Sequence, residues 1–77
     1  MLDPAELQRR IVAALPGAQV VVKDTTGTGD HFEAHVIAPA FAGKSRVQQH
    51  QMVYAPLKDL LATGTLHALA LTTGAPE

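Results

Sequence analysis

The stretch Phe41-Ala42-Gly43-Lys44-Ser45-Arg46-Val47-Gln48 fixes where a helix must begin, and the rest of the chain has to fit around that start. Ser45 stands three residues before Gln48, the spacing of a capping box. The Ser hydroxyl accepts a bond from the Gln48 backbone N–H, and the Gln side chain reaches back to the Ser45 N–H. Gly43 lets the chain turn into that cap. Beyond it the apolar residues Val47, Tyr54, Leu57 and Leu61, with Val53 and Leu60 beside them, recur at helical spacing. A step of about 100° per residue centres His50 on this stripe. Packing is the simplest role for a side chain there, so His50 is read as structural. Lys44, Gln48, Gln51, Ala55, Lys58 and Asp59 point the other way. Pro56 falls inside the pattern, where it removes a backbone donor and clashes with the preceding turn. The expectation is a helix from Ser45 to about Ala55, a restart over Pro56 to Ala62, and a stop at Gly64.

The first helix is punctuated as clearly. Asp3 suits the N-cap, Pro4 the first helical position, and Glu6 would complete a box. Leu2 and Leu7 have the spacing of a hydrophobic staple. Leu7, Ile11, Ala14 and Leu15 form the expected buried stripe, with Arg9 and Arg10 read as a solvated face. Pro16-Gly17 ends the helix. Gln19 to Lys23 is β-branched and apolar and reads as a strand. His31 to Ala38 reads as its hairpin partner across the loop 25–30, and Pro39 closes it. The loop has a Gly-x-Gly run, but a strand follows it and not a helix, so it is turn chemistry and not a phosphate cradle. Thr65 to Thr72 reads as a third strand, followed by a frayed tail over 73–77.

The order helix, strand, strand, helix, short helix, strand in 77 residues implies one domain. The last strand returns after a helical crossover, which permits parallel pairing with an earlier one. The fold class expected is α+β: a class II KH-like αββααβ sandwich, with a three-stranded mixed sheet and helices packed on one face. The G-x-x-G clamp of KH domains is missing, since the turn into the helix holds only Gly43.

Chemistry is limited by what the chain lacks. It has no cysteine. It therefore forms no disulfide, offers no thiol nucleophile, and cannot hold an all-thiolate metal cluster alone. Ser45 and His50 face different sides of their helix and no carboxylate pair accompanies them, so no enzyme is expected. No apolar run reaches the ~18 residues of a membrane span, and the N-terminus does not read as a signal peptide. A cytoplasmic protein is the expectation. Alternation places His31, Glu33, His35 and Ile37 on one face of the second strand and Phe32, Ala34, Val36 and Ala38 on the other. His31 and His35 are about 13 Å apart, too far for one metal. His31 with Glu33, or Glu33 with His35, gives two ligands where zinc wants three or four. In the third strand His67 would share a face with Leu69 and Leu71, half-buried at the strand's opening end.

Phe41-Ala42-Gly43-Lys44-Ser45, Val47-Gln48-Gln49-His50, Val53-Tyr54 and Leu66-His67-Ala68-Leu69, at this spacing, resemble the BolA family. The resemblance runs from about Ile11 to Thr73. It implies a small non-enzymatic protein that pairs with monothiol glutaredoxins and shares a 2Fe-2S cluster in iron and redox regulation. In such pairs the glutaredoxin and glutathione supply sulfur ligands, and the BolA partner supplies the His of the H-A-L motif, here His67. A second ligand comes from the hairpin loop, where the nearest match is His31. In the other reading His31 is an inward strand residue and Asp30 the exposed polar group. Gln49 stands where many relatives have Arg, and relatives often continue past Pro76-Glu77 with a tryptophan-bearing helix. Alone, such a chain is expected to be a monomer or weak homodimer without cofactor.

A second reading comes from the family's likeness to KH and helix-turn-helix proteins: DNA binding as a transcription regulator. Lys44, Arg46 and Lys58 would meet phosphates, and Gln48 and Gln51 base edges. The net charge of −1 argues against broad phosphate-driven binding, so this set would have to act locally.

Overall fold

A computed structural model describes residues 2–27 and 31–76. Asp3 caps α1 (Pro4–Ala14), its carboxylate accepting from the Ala5 N–H at 2.9 Å. Leu2, Leu7, Ile11 and Leu15 are buried as expected, whereas Ala14 is exposed. Glu6 does not complete a box. Its carboxylate turns to Arg9 at 2.7 Å and Arg10 at 3.6 Å, one turn along the helix.

β1 (Gln19–Asp24) pairs antiparallel with β2 (His31–Ile37), Val20 opposite Val36 and Val22 opposite Ala34. Asp24 starts the connection by accepting from the N–H groups of Thr26 and Gly27 at 3.2 and 2.9 Å. The rest of the Gly-x-Gly loop, with Asp30, lies outside the described residues. The alternation in β2 is as read: Phe32, Ala34 and Val36 are buried, and His31, Glu33 and His35 are half-exposed on the opposite face. Ala38 is buried just past the strand, its N–H bonded to the Gly74 carbonyl at 3.1 Å.

A single 3-10 turn (Pro39–Phe41) leads to α2 (Arg46–Tyr54). Both halves of the Ser45/Gln48 box are made, at 3.2 and 2.9 Å. Pro56 breaks the helix as expected: a 3-10 turn (Ala55–Leu57) intervenes before α3 (Lys58–Ala62). The phase of the stripe differs from the sequence reading. Val53, Leu57 and Leu60 are buried, while Val47 is 66% and Leu61 37% exposed. The inward row is Gln49, Val53, Leu57 and Leu60, with Gln49 bonded to Thr73 of β3. His50 is one step off that row and half-exposed, its ring edge-on to Tyr54 at 6.5 Å.

β3 (Ala68–Gly74) lies parallel to β2, from His31 opposite Ala68 to Ile37 opposite Gly74. The sheet order is β1-β2-β3, with the helices on the Phe32/Ala34/Val36 face. β3 starts and ends three and two residues later than read. The supposed frayed tail is therefore ordered through Gly74, and Thr73 donates to Gln49 at 2.6 Å. Full burial of side chains such as Phe32, Phe41 and Leu57 is worth about 1.5–3 kcal/mol each, so the fourteen buried apolar residues among those described are the fold's main support.

Arg10 is not a simple solvated side chain. Its guanidinium donates to Asp59 at 2.7 Å and to the Pro56 carbonyl at 3.4 Å, clamping α1 to the broken helix. The Arg10 hydrogen bond holds the Asp59 carboxyl below its ordinary value. A carboxyl lowered by folding adds stability that is present above its unfolded pKa, about 4, and lost as pH falls through the folded value. Arg10→Ala should therefore melt below the wild type at neutral pH, with the gap closing as the pH falls below the ordinary carboxylate range. Melting curves at several pH values check this, and a gap unchanged in acid would show the clamp to be non-electrostatic.

Candidate functional site

The third strand begins one residue after His67, so alternation does not place that side chain. Its position is set by what precedes it. Gly64 takes φ +76°, the left-handed turn that ends α3. Leu66 is buried and its N–H bonds to the Leu60 carbonyl at 3.1 Å. With Leu66 inward, His67 emerges exposed, and its Nε2 lies 3.7 Å from where a Cβ on Gly64 would stand. It does not join Leu69 and Leu71, which are half-buried towards the helices. The His67 ring instead meets His31, with ring centroids 5.9 Å apart and planes tilted by 58°.

His31 is the first residue of β2, on its solvent face, which removes the inward alternative. Its carbonyl accepts from the Thr25 N–H at 3.1 Å and the Thr25 hydroxyl at 3.2 Å, so the hairpin's neck holds it in place. The parallel register, with Ala68 opposite His31, is what brings the two imidazoles together. Sequence reading named both residues but had no means of making them neighbours.

Two imidazoles offer two nitrogen ligands. No group of three or more His, Cys, Asp or Glu residues suited to a metal occurs among the described residues. Glu33 and His35 are engaged with each other, Oε1 to Nε2 at 2.8 Å. A metal on the His31–His67 pair would need further ligands from another molecule.

The residues read as a nucleic-acid set divide. Lys44, Gln48 and Gln51 line one shallow hollow on the outer flank of α2, and Lys58 joins Gln51 and Tyr54 in the next. Arg46 lies on the other flank, beside β3. Gln48 spends its side-chain oxygen on the Ser45 N–H. The side chain that sequence reading undervalued is Gln49. Its amide N–H donates to the Phe41 and Lys44 carbonyls at 3.3 and 3.1 Å, and its oxygen accepts from Thr73. It ties the turn into α2 to the end of β3. Its place in the row with Val53, Leu57 and Leu60 was the available signal.

The profile of the BolA-like protein family matches residues 8–77. The chain belongs to the BolA-like family. Among BolA-like relatives, the acid stress protein IbaG of Escherichia coli is 34% identical over 75 residues, covering 97% of this chain and 86% of that protein. SufE-like protein 1 of Arabidopsis thaliana is 35% identical over 77 residues, which is 97% of this chain and only 20% of that longer protein. Among solved structures, a BolA homologue from Coxiella burnetii superposes with a TM-score of 0.82 at 30% identity, covering 99% of this chain and 94% of that one. The mixed sheet with its helices on one face is thus the arrangement of solved BolA structures.

Gln49→Ala should destabilise this BolA-like chain by roughly 1–3 kcal/mol, because it removes three side-chain hydrogen bonds and leaves the part-buried Thr73 hydroxyl without its acceptor. Denaturant unfolding checks this, and a midpoint unchanged from wild type would remove Gln49 from the fold's fastenings.

Proposed function

We propose that this chain is a non-enzymatic partner of a monothiol glutaredoxin, lending His67 and His31 to a shared 2Fe-2S cluster in iron and redox regulation. The observation that carries the reading is the 5.9 Å approach of the two rings. A 2Fe-2S cluster takes four protein-type ligands, and two nitrogens with no cysteine cannot hold one unaided. The donor set therefore fits a cluster whose sulfur ligands come from the glutaredoxin and glutathione, as the family resemblance implies. The backbone grip of Thr25 on His31 and the burial of Leu66 before His67 would hold the rings ready, so little ordering is lost on association. Replacing thiolate by imidazole raises a cluster's potential. It also makes attachment proton-sensitive, since only neutral imidazole ligates and its ordinary pKa is about 6.5. No helix among the described residues is long and apolar enough to cross a membrane. Action in the cytoplasm is part of the proposal.

The flank formed by Lys44, Gln51 and Lys58 favours DNA as a second reading, because these exposed side chains line two adjoining hollows that share Gln51. It would show as DNA binding that falls steeply with salt and is lost with Lys44→Ala and Lys58→Ala.

Co-purification with a monothiol glutaredoxin and glutathione, read by visible absorption and circular dichroism, tests the first reading. His67→Ala should abolish or strongly alter the cluster spectrum of the mixed assembly, and His31→Ala should shift it. His50→Ala should lower stability and leave the spectrum intact. An unchanged spectrum with His67→Ala would sink the proposal.

A further inference from the structure

β3 is an edge strand with no protection. It is seven residues long, reads Ala-Leu-Ala-Leu-Thr-Thr-Gly, and carries neither charge nor proline. Its register with β2 is unbroken from Ala68 to Gly74, so no bulge twists the edge away. The opposite edge, β1, carries Lys23 and Asp24. Sheets that must stay unpartnered blunt their edges with charges, proline, bulges or short strands. Among the described residues, no hydrogen bond reaches the outer backbone row of Leu69–Thr73.

Beside this edge is a hollow between α2 and β3, lined by Arg46, His50, Leu71, Thr72 and Thr73. Arg46 is exposed and makes no ion pair among the described residues. The place thus offers backbone donors and acceptors in strand spacing, the half-buried Leu71 side chain, and one guanidinium.

We propose that an extended segment of a partner protein adds here as a fourth strand beside β3, with one of its carboxylates on Arg46. Backbone bonds to an open edge supply affinity in such pairings, and the flanking side chains supply selectivity. Arg46 selects an acidic segment, because a guanidinium binds a carboxylate through two parallel bonds. A second copy of this chain fits less well, since β3 brings no carboxylate to a neighbour's Arg46. Single-stranded nucleic acid also fits less well. The hollow holds one cation, and its only ring is the His50 imidazole, already edge-on to Tyr54. The hollow lies towards the far end of β3 from the His31–His67 pair, so this inference does not rest on the cluster reading.

The test uses the isotope-labelled full chain and a blocked pentapeptide, Thr-Val-Glu-Val-Thr, followed by backbone amide shifts. Companion probes are the same peptide with Lys for Glu, two versions N-methylated on one strand edge or the other, and a short oligothymidylate. The acidic peptide should shift the amides of Leu69–Thr73 and slow their hydrogen exchange. One N-methylated version should lose binding and the other keep it. Arg46→Glu should weaken the acidic peptide about tenfold or more and favour the Lys version. No change at β3 with the acidic peptide at millimolar concentration overturns the proposal, as does equal binding of both N-methylated versions. Oligothymidylate shifting β3 where the peptide does not would make nucleic acid the occupant. Shifts that depend on chain concentration alone would make it a second copy.

Discussion

β3 lies parallel to β2, and most of the molecule exists to make that possible. An antiparallel neighbour needs only a short turn, as β1 and β2 show, but a parallel one must be carried back across the sheet by a dozen residues or more. The segment from Pro39 to His67 does this. It covers the Phe32/Ala34/Val36 face with Phe41, Val53, Leu57, Leu60 and Leu66, all buried. The crossover is thus also the core's second layer. The same register puts Ala68 opposite His31, and so delivers His67 to the mouth of the hairpin.

A chain of this size buries only about 60% of the surface its unfolded form exposes, so apolar packing alone orients its layers loosely. Two polar side chains correct this at opposite ends of the crossover. Gln49 joins the turn before α2 to the end of β3, and Arg10 joins α1 to the broken helix at Pro56 and Asp59. Each meets backbone carbonyls as well as a side chain. That choice suits places where the chain changes direction and leaves acceptors without helical partners.

The local rules were legible in the sequence. Asp3 and the Ser45/Gln48 box start their helices, Pro56 breaks one, and the alternation of Phe32, Ala34 and Val36 sets the inward face of β2. What failed was whatever tertiary contact decides. In α2 one inward position belongs to Gln49, which reaches Thr73 and which a pattern of apolar residues cannot register, so Val47 reads as buried and is exposed; Leu61 lies in α3, past the Pro56 break, where the phase of α2 no longer applies. β3 starts at Ala68 because Leu66 is pulled inward, its N–H on the Leu60 carbonyl. No alternation rule contains that bond. Arg10 looked solvated because Asp59 is distant in sequence. His31 and His67 were singled out by family resemblance, and their adjacency follows only from the strand register.

That adjacency has a physical consequence for the proposed role. A pair of neutral nitrogens is too few to retain iron–sulfur cargo in the free chain, yet enough to complete a coordination shell begun by another protein's thiolates. In the proposed role, binding of cargo and binding of partner would become one event. The affinity of each depends on the presence of the other, as linkage requires. A chain with its own cysteines could strip a cluster from its partner. In the proposed role, one built from His31 and His67 would share it. Thiolate ligands within the chain would make the same fold a store; under the proposed role, imidazole would make it an accessory to another protein's site.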